Sequence, residues 1–220
     1  MAMIFDSAYQ EEAALADGTR VRVRLLRPDD KERLREGWER LSPASRYRRF
    51  LSAKTRLTDA ELVYLTEMDQ VDHVAIGAES VEDNEPLGVA RFQRTAGRTD
   101  AAEAAVVVID GMQGRGLGRL LLSRLVRAAA ERGIGYFTCE VLASNEPMLN
   151  LLKSLVPETN AIPNGESVIL ELRLHDADAG DPPVPSEKAS PLYRLFAAVA
   201  RGGIDLRQSF AELGALIRGR

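Results

Sequence analysis

The most constraining feature of this sequence is an apolar, β-branched run that passes directly into a glycine-rich turn and then into a long amphipathic segment. The run covers residues 106–109, the turn contains four glycines between residues 111 and 118, and the amphipathic segment continues to about Gly133. This order predicts a buried strand, a tight loop and a helix. The loop would present several backbone N–H groups at a helix N-terminus, which is a ready site for an anion such as a polyphosphate.

Two well-known phosphate loops do not fit this turn. A dinucleotide-binding fingerprint requires a third glycine where Arg119 stands, and a P-loop requires a lysine where Leu117 stands. The pattern that remains is Gln-x-x-Gly-x-Gly, formed by Gln113, Gly116 and Gly118.

This loop resembles the one that holds the pyrophosphate of acyl-CoA in the GNAT superfamily of acetyltransferases. The alternative is a strand-to-helix turn that binds no ligand. The resemblance implies that acetyl-CoA is a co-substrate, with its pyrophosphate on the loop and its pantetheine arm paired with the preceding strand. The residues implied for cofactor binding are Val106, Val107, Val108, Gln113, Gly114, Arg115, Gly116, Leu117, Gly118, Arg119 and Asn145.

At 220 residues the chain is long enough for one well-buried α/β domain and an appendage, and its composition, with a net charge of −4, is ordinary for a soluble globular protein. Its acidic balance gives no general attraction to nucleic acid or to anionic membranes, although Arg46, Arg48 and Arg49 form a local basic cluster. The single cysteine, Cys139, excludes an internal disulfide and is typical of a reducing cytosol. Neither a signal peptide nor a membrane helix is evident. We therefore expect a cytoplasmic protein that binds neither nucleic acid nor membrane.

Periodicity predicts a strand, several helices, three strands, a helix, a strand, a helix and a final strand. This order indicates the α/β class, with a mixed, mostly antiparallel sheet of about six to seven strands flanked by helices. It is also the order of the GNAT fold, and the resemblance spans about residues 20–174. Strands are expected at 20–25, 74–78, 87–92, 103–109, 136–142 and 167–174, and helices after Asp30, Ser42, Thr58, Gly116 and Asn145.

Composition divides the chain into four parts. Residues 1–17 are weakly patterned and are expected to form a loose N-terminal arm, and the resemblance implies that residues 18–175 form the acetyltransferase domain. Residues 176–190 are acidic and proline-rich and are expected to form a linker, and residues 191–220 are expected to form a tail of two short amphipathic helices. The apolar faces of the tail are expected to pack on the parent domain, on the second copy of a homodimer or on another protein. Within the domain, residues 157–165 are expected to form a loop.

Glu103 is the candidate general base. It begins the strand that leads to the glycine loop and is surrounded by alanines, so little else competes for this role. The motif Ala-Glu-x-Ala-Val-Val-Val at 102–108 resembles the bacterial protein-lysine acetyltransferase branch of the superfamily, in which the matching glutamate acts as the base. The alternative is a carboxylate on an edge strand that only faces water.

Two further positions concern the cofactor and the leaving group. Asn145 matches the family's asparagine that contacts the acyl carrier, and its alternative role is a plain helix cap. Many members carry a tyrosine seven residues later, which protonates the leaving thiolate, but here that position is Leu152. Either water or another side chain protonates the thiolate, or the thiolate leaves unaided. Cys139 lies among apolar residues and is expected to be part of the core.

The segment 41–50 is similar to the same branch, in which this helix lies beside the acceptor cleft. Its arginines would suit an acidic small substrate or the acidic surroundings of a lysine, and the alternative is a solvated helix face. The spacing around His73 is also similar to that branch. His73 has no cysteine or histidine partner at metal-binding spacing, so no metal site is expected.

The sequence thus predicts an N-acetyltransferase that transfers an acetyl group from acetyl-CoA to a primary amine by direct attack in a ternary complex. The acceptor is either a protein lysine or a small amine. The alternative function is a catalytically silent acyl-CoA sensor or interaction module, which the absence of the tyrosine favours and the presence of Glu103 opposes.

Overall fold

The structure is a computed structural model that describes residues 3–156 and 159–174. The linker expected at 176–190 and the helices expected at 191–220 lie outside the described residues. Within the described part of the chain, no helix has the length and apolar character needed to cross a membrane.

The described residues form one mixed sheet. Its strands are β1 Gln10–Ala14, β2 Arg20–Leu25, β3 His73–Ser80, β4 Pro86–Arg94, β5 Ala101–Val108, β6 Tyr136–Leu142, β7 Thr159–Asn164 and β8 Ser167–Arg173. They lie in the order β1-β2-β3-β4-β5-β6-β8-β7. The β5–β6 pair is parallel, and the other neighbouring pairs are antiparallel. The α/β class and the mostly antiparallel sheet expected from the sequence are confirmed.

Five α-helices flank this sheet in the described residues. They are α1 Lys31–Glu39, α2 Pro43–Phe50, α3 Asp59–Thr66, α4 Leu117–Ala130 and α5 Glu146–Leu155. Two expected caps are confirmed: the Ser42 hydroxyl accepts from the Ser45 N–H, and Thr58 forms a capping box with Glu61. Asp30 precedes α1 as expected, but its side chain makes no cap hydrogen bond with that helix. The third helix ends at Thr66 rather than near Met68.

Helix α4 covers one face of the sheet. Its apolar stripe includes Leu117, Leu121 and Leu125, which are fully buried and belong to the same core as Ala90 and Phe92 of β4. Helices α1 to α3 lie against the other face, with Trp38 of α1 buried there. The sheet is therefore covered on both sides, and burial of these side chains stabilises the fold.

The N-terminal arm is more ordered than its sequence suggests. Residues 10–14 form the edge strand β1 and pair with β2, and Phe5 and Leu15 are buried in the main core. The expectation of a loose arm over 1–17 is therefore wrong. An edge strand needs only backbone pairing on one side, so β1 lacks the apolar alternation by which strands are usually recognised.

The opposite edge of the sheet gives a second correction. The loop expected at 157–165 contains strand β7, which pairs with β8. Most of its side chains are exposed, and Pro163 lies within it. Proline is tolerated in an edge strand because one side of the strand donates no ladder hydrogen bonds. The sheet thus has eight strands instead of six to seven.

Candidate active site

The site is built around a fork between the two parallel strands. Strands β5 and β6 are paired only from Ala101–Tyr136 to Glu103–Thr138, although β5 continues to Val108 and β6 to Leu142. Beyond this point the two strands separate. The gap between residues 104–108 of β5 and 139–142 of β6 forms a notch, and the strands do not pair with each other across it. Backbone groups that face the notch require partners, so the notch is suited to an extended, amide-bearing ligand.

The glycine loop closes the wide end of this notch. Gly114 and Gly116 have φ angles of +73° and +93°, and Gly116 is the N-cap of α4. Non-glycine residues rarely adopt this left-handed conformation. No side chain caps the start of α4, so its first N–H groups remain available for an anion.

The side chain of Gln113 holds the loop in place. Its Nε2 group donates to the Val108 carbonyl at 3.0 Å and to the Ser45 hydroxyl at 3.1 Å. These bonds connect the loop to the end of β5 and to α2. Gln113 therefore fixes the position of the loop, because its amide is already engaged within the protein.

The two arginines of the loop have different surroundings. Arg119 lines the notch, and its Nη1 donates to the Ser154 hydroxyl at 2.8 Å. Arg115 is directed away from the notch, with its Nε 2.7 Å from a carboxylate oxygen of Asp17. Leu117 is fully buried in the core. Among the residues expected to bind the cofactor, Arg115 and Leu117 do not line the notch, and all the others do.

Asn145 begins α5 at the far wall of the notch. Its side chain accepts from the Met148 N–H at 3.4 Å, so the capping role is present, and the residue also lines the notch.

Leu152 is 2% exposed and lines the same wall. Cys139 is a core residue, as expected, and burial raises the pKa of its thiol to about 12. Neither Leu152 nor Cys139 offers a titrating proton near neutral pH.

Glu103 stands at the narrow end of the fork. Its side chain is exposed and lines a pocket of about 520 Å³ together with Thr138 and Arg49. This pocket and the notch share Arg49, Ala104, Ala105 and Glu140. A group that enters the pocket therefore reaches the open end of the notch, which is the arrangement that a two-substrate reaction requires.

Sequence reasoning did not single out Arg91 and Tyr64, which also line this pocket. The Arg91 guanidinium lies 4.8 Å from the centre of the Tyr64 ring, and it donates to Nε2 of His73. Burial, together with the charge of Arg91, lowers the pKa of His73 to about 4, so its imidazole is neutral near pH 7. The signal available in the sequence was an arginine within the apolar run 87–92.

Comparison with known proteins identifies the family of this fold. The model of the acetyltransferase (GNAT) family matches residues 33–155. Acetyltransferase PA5475 of Pseudomonas aeruginosa is 33% identical over 144 residues, which are 64% of this chain and 77% of that protein. Acetyltransferase Pat of Mycolicibacterium smegmatis is 34% identical over 133 residues, 60% of this chain but only 40% of Pat.

Solved structures give the same result. The GNAT domain of S. lividans PAT superposes with a TM-score of 0.70 at 30% identity, covering 77% of this chain and 99% of that domain. The yncA acetyltransferase of Salmonella typhimurium, solved with acetyl-CoA, has a TM-score of 0.57 at 20% identity over 78% of this chain and 97% of yncA, which is a likeness of fold alone. The chain therefore belongs to the GNAT family of acetyltransferases and is an acyltransferase.

Proposed function

We propose that this protein transfers an acetyl group from acetyl-CoA to a primary amine by direct attack within a ternary complex. The observation that carries the proposal is the fork between β5 and β6, which joins a phosphate-binding loop at one end to the Glu103 pocket at the other. In this arrangement the amine and the thioester meet where the strands part.

The residues of the notch fit acetyl-CoA. The positive φ angles of Gly114 and Gly116 leave the loop backbone open to a pyrophosphate, and Arg119 adds a positive charge. At Gly118, an added Cβ would lie 3.3 Å from the Leu151 side chain, so glycine lets α4 and α5 approach each other without displacing Leu151. On the side facing β6, residues 106–108 of β5 have no strand partner, and this edge is suited to bind the amides of the pantetheine arm.

Glu103 is proposed to remove the proton that the amine must lose. Its carboxylate has no hydrogen bond or ion pair with any residue that the structure describes, so it remains free to accept a proton directly or through water. The amine nitrogen then bonds to the thioester carbon, the carbon–sulfur bond breaks, and the sulfur leaves as a thiolate. A free thiol has a pKa of about 8.5, so water protonates this leaving group where Leu152 provides no acid.

Titration with acetyl-CoA in a calorimeter, followed by a thiol-release assay over amines and lysine peptides, tests this proposal. Binding with thiol release supports it. Absence of binding would contradict the role of the glycine loop, because the notch would then hold no acyl carrier.

The second candidate function is an acyl-CoA sensor without catalysis. The observation that favours it is Leu152, which is buried where many relatives carry the acid. A sensor would bind acetyl-CoA without thiol release, and the Glu103→Gln variant would retain all of its function. An acetyltransferase would lose turnover in the same variant.

A further inference from the structure

Two charged groups of the Glu103 pocket, Glu61 and Glu140, have hydrogen-bond partners within the protein. Glu61 accepts from Lys54 and from the N–H and hydroxyl of Thr58. Glu140 accepts from Asn164 at 2.9 Å and from Ser167 at 2.5 Å. These two carboxylates are therefore engaged in holding the structure together.

Three charged groups of the pocket lack an oppositely charged partner among the described residues. Glu103 has no hydrogen bond or ion pair there, and Arg49 lies 4.7 Å from the Phe50 ring and near Arg91 and Tyr64, without a carboxylate partner. Arg91 contacts the neutral His73 and the Tyr64 ring. The pocket thus presents one anion and two cations that no counter-charge within residues 3–156 and 159–174 neutralises.

The two guanidinium groups are held in an unfavourable position for cations. Arg91 is only 8% exposed, and Arg49 is partly buried. Burial and the nearby positive charge of Arg91 lower the pKa of Arg49 to about 10, so both groups remain charged at neutral pH. Two like charges withdrawn from water and left without an anion are costly. A bound carboxylate would remove this cost through charge-assisted hydrogen bonds.

We propose that the acceptor carries a carboxylate next to its amine, with the carboxylate bound by Arg49 and Arg91 and the amine directed to Glu103. This inference rests on the proposed function, since it names the acceptor class of the same site. The arrangement of charges is complementary to an amino acid, which presents an ammonium and a carboxylate together. A lysine beside an acidic residue in a protein offers the same chemistry, whereas a lysine in neutral surroundings does not.

Binding of acceptors to the full-length protein saturated with CoA tests this inference without turnover. The probes are the standard amino acids, each paired with the amine that its decarboxylation gives, and lysine peptides with aspartate or alanine neighbours. We expect at least one carboxylate-bearing probe to bind about 10- to 100-fold more tightly than its neutral match, the range expected for a charge-assisted bond. A preference among the free amino acids assigns a small-molecule acceptor, and one among the peptides alone assigns a protein acceptor.

Variants identify the groups responsible. We expect Arg49→Gln and Arg91→Gln each to reduce the preference about tenfold or more. The control Arg35→Gln, which removes an exposed charge that is paired with Asp59 and does not line the pocket, should retain it. Because Arg91 is buried, circular dichroism should first establish that Arg91→Gln folds. If Arg91→Gln does not fold, Arg49→Gln alone provides the test.

Equal binding of the matched probes, or no binding by any carboxylate-bearing probe, would overturn the inference. So would a preference that persists in both arginine variants. Failure of the proposed function would be recognised separately, by the absence of acetyl-CoA binding or of thiol release with every amine.

Discussion

Glu103 and Thr138 are partners at the last paired position of the parallel β5–β6 ladder. One residue further along, the two strands have separated. The strand pairing that precedes Glu103 thus fixes the position of the candidate base. The opening proposed for the thioester begins directly after this residue. A rigid strand positions a catalytic group more accurately than a loop does.

The first prediction concerns the left-handed conformation at Gly116. Gly116→Ala should lower the affinity for acetyl-CoA about 10- to 100-fold, because the loop N–H groups would turn away from the pyrophosphate. Calorimetric titration measures the change. Gly97→Ala is the matched control: Gly97 also has a positive φ, of +79°, and open space around its Cβ position, but it lies outside the notch. Equal losses of affinity in both variants would indicate general strain instead of a phosphate site.

The second prediction separates the two loop arginines. Arg119→Gln should weaken acetyl-CoA binding by about tenfold, since Arg119 lines the notch and its charge would attract the pyrophosphate in the proposed complex. Arg115→Gln should change the affinity by less than about threefold, because the Arg115 guanidinium is paired with Asp17. Titrations at low salt show the difference most clearly. A larger loss in the Arg115 variant would mean that this side chain rotates to the ligand.

The third prediction concerns the pH dependence of stability. The folded state holds the pKa of His73 near 4, below its value of about 6.5 in an unfolded chain. Between these values the unfolded state binds the extra proton, so the His73 contribution to stability is complete above about pH 6.5 and is lost as the pH falls toward 4. Urea unfolding at pH 7.5 and pH 5 should show a smaller decrease in His73→Gln than in the wild type. Parallel decreases in the two proteins would contradict the neutral, buried imidazole.

Sequence patterns located much of this structure because the information was local. The strand, glycines and amphipathic helix at 106–130 appear as periodicity and turn chemistry, and both are present in the structure. Edge strands β1 and β7 were missed because exposed strands show no apolar alternation. Local sequence patterns predict whether a segment is a helix or a strand. They do not predict which strands pair with each other in the sheet.

The direction of side chains was less predictable. Arg115 and Arg119 are four residues apart and both adjoin the glycines, yet only one lines the notch. The difference is set by Asp17, which lies almost 100 residues earlier in the chain. Arg91 was missed for a similar reason: the absence of a carboxylate partner is a property of the folded pocket, and no spacing in the sequence records it.

The central claim is that Glu103 removes a proton from an amine at the fork. The measurement that tests it most directly compares thiol release from acetyl-CoA by the wild type and by Glu103→Gln, together with the affinity of each for acetyl-CoA. Glu36→Gln, an exposed carboxyl change on α1, is the control. We expect kcat/KM for the acceptor to fall about 10²- to 10⁴-fold in Glu103→Gln while the affinity for acetyl-CoA is retained. Unchanged turnover in that variant would contradict the account.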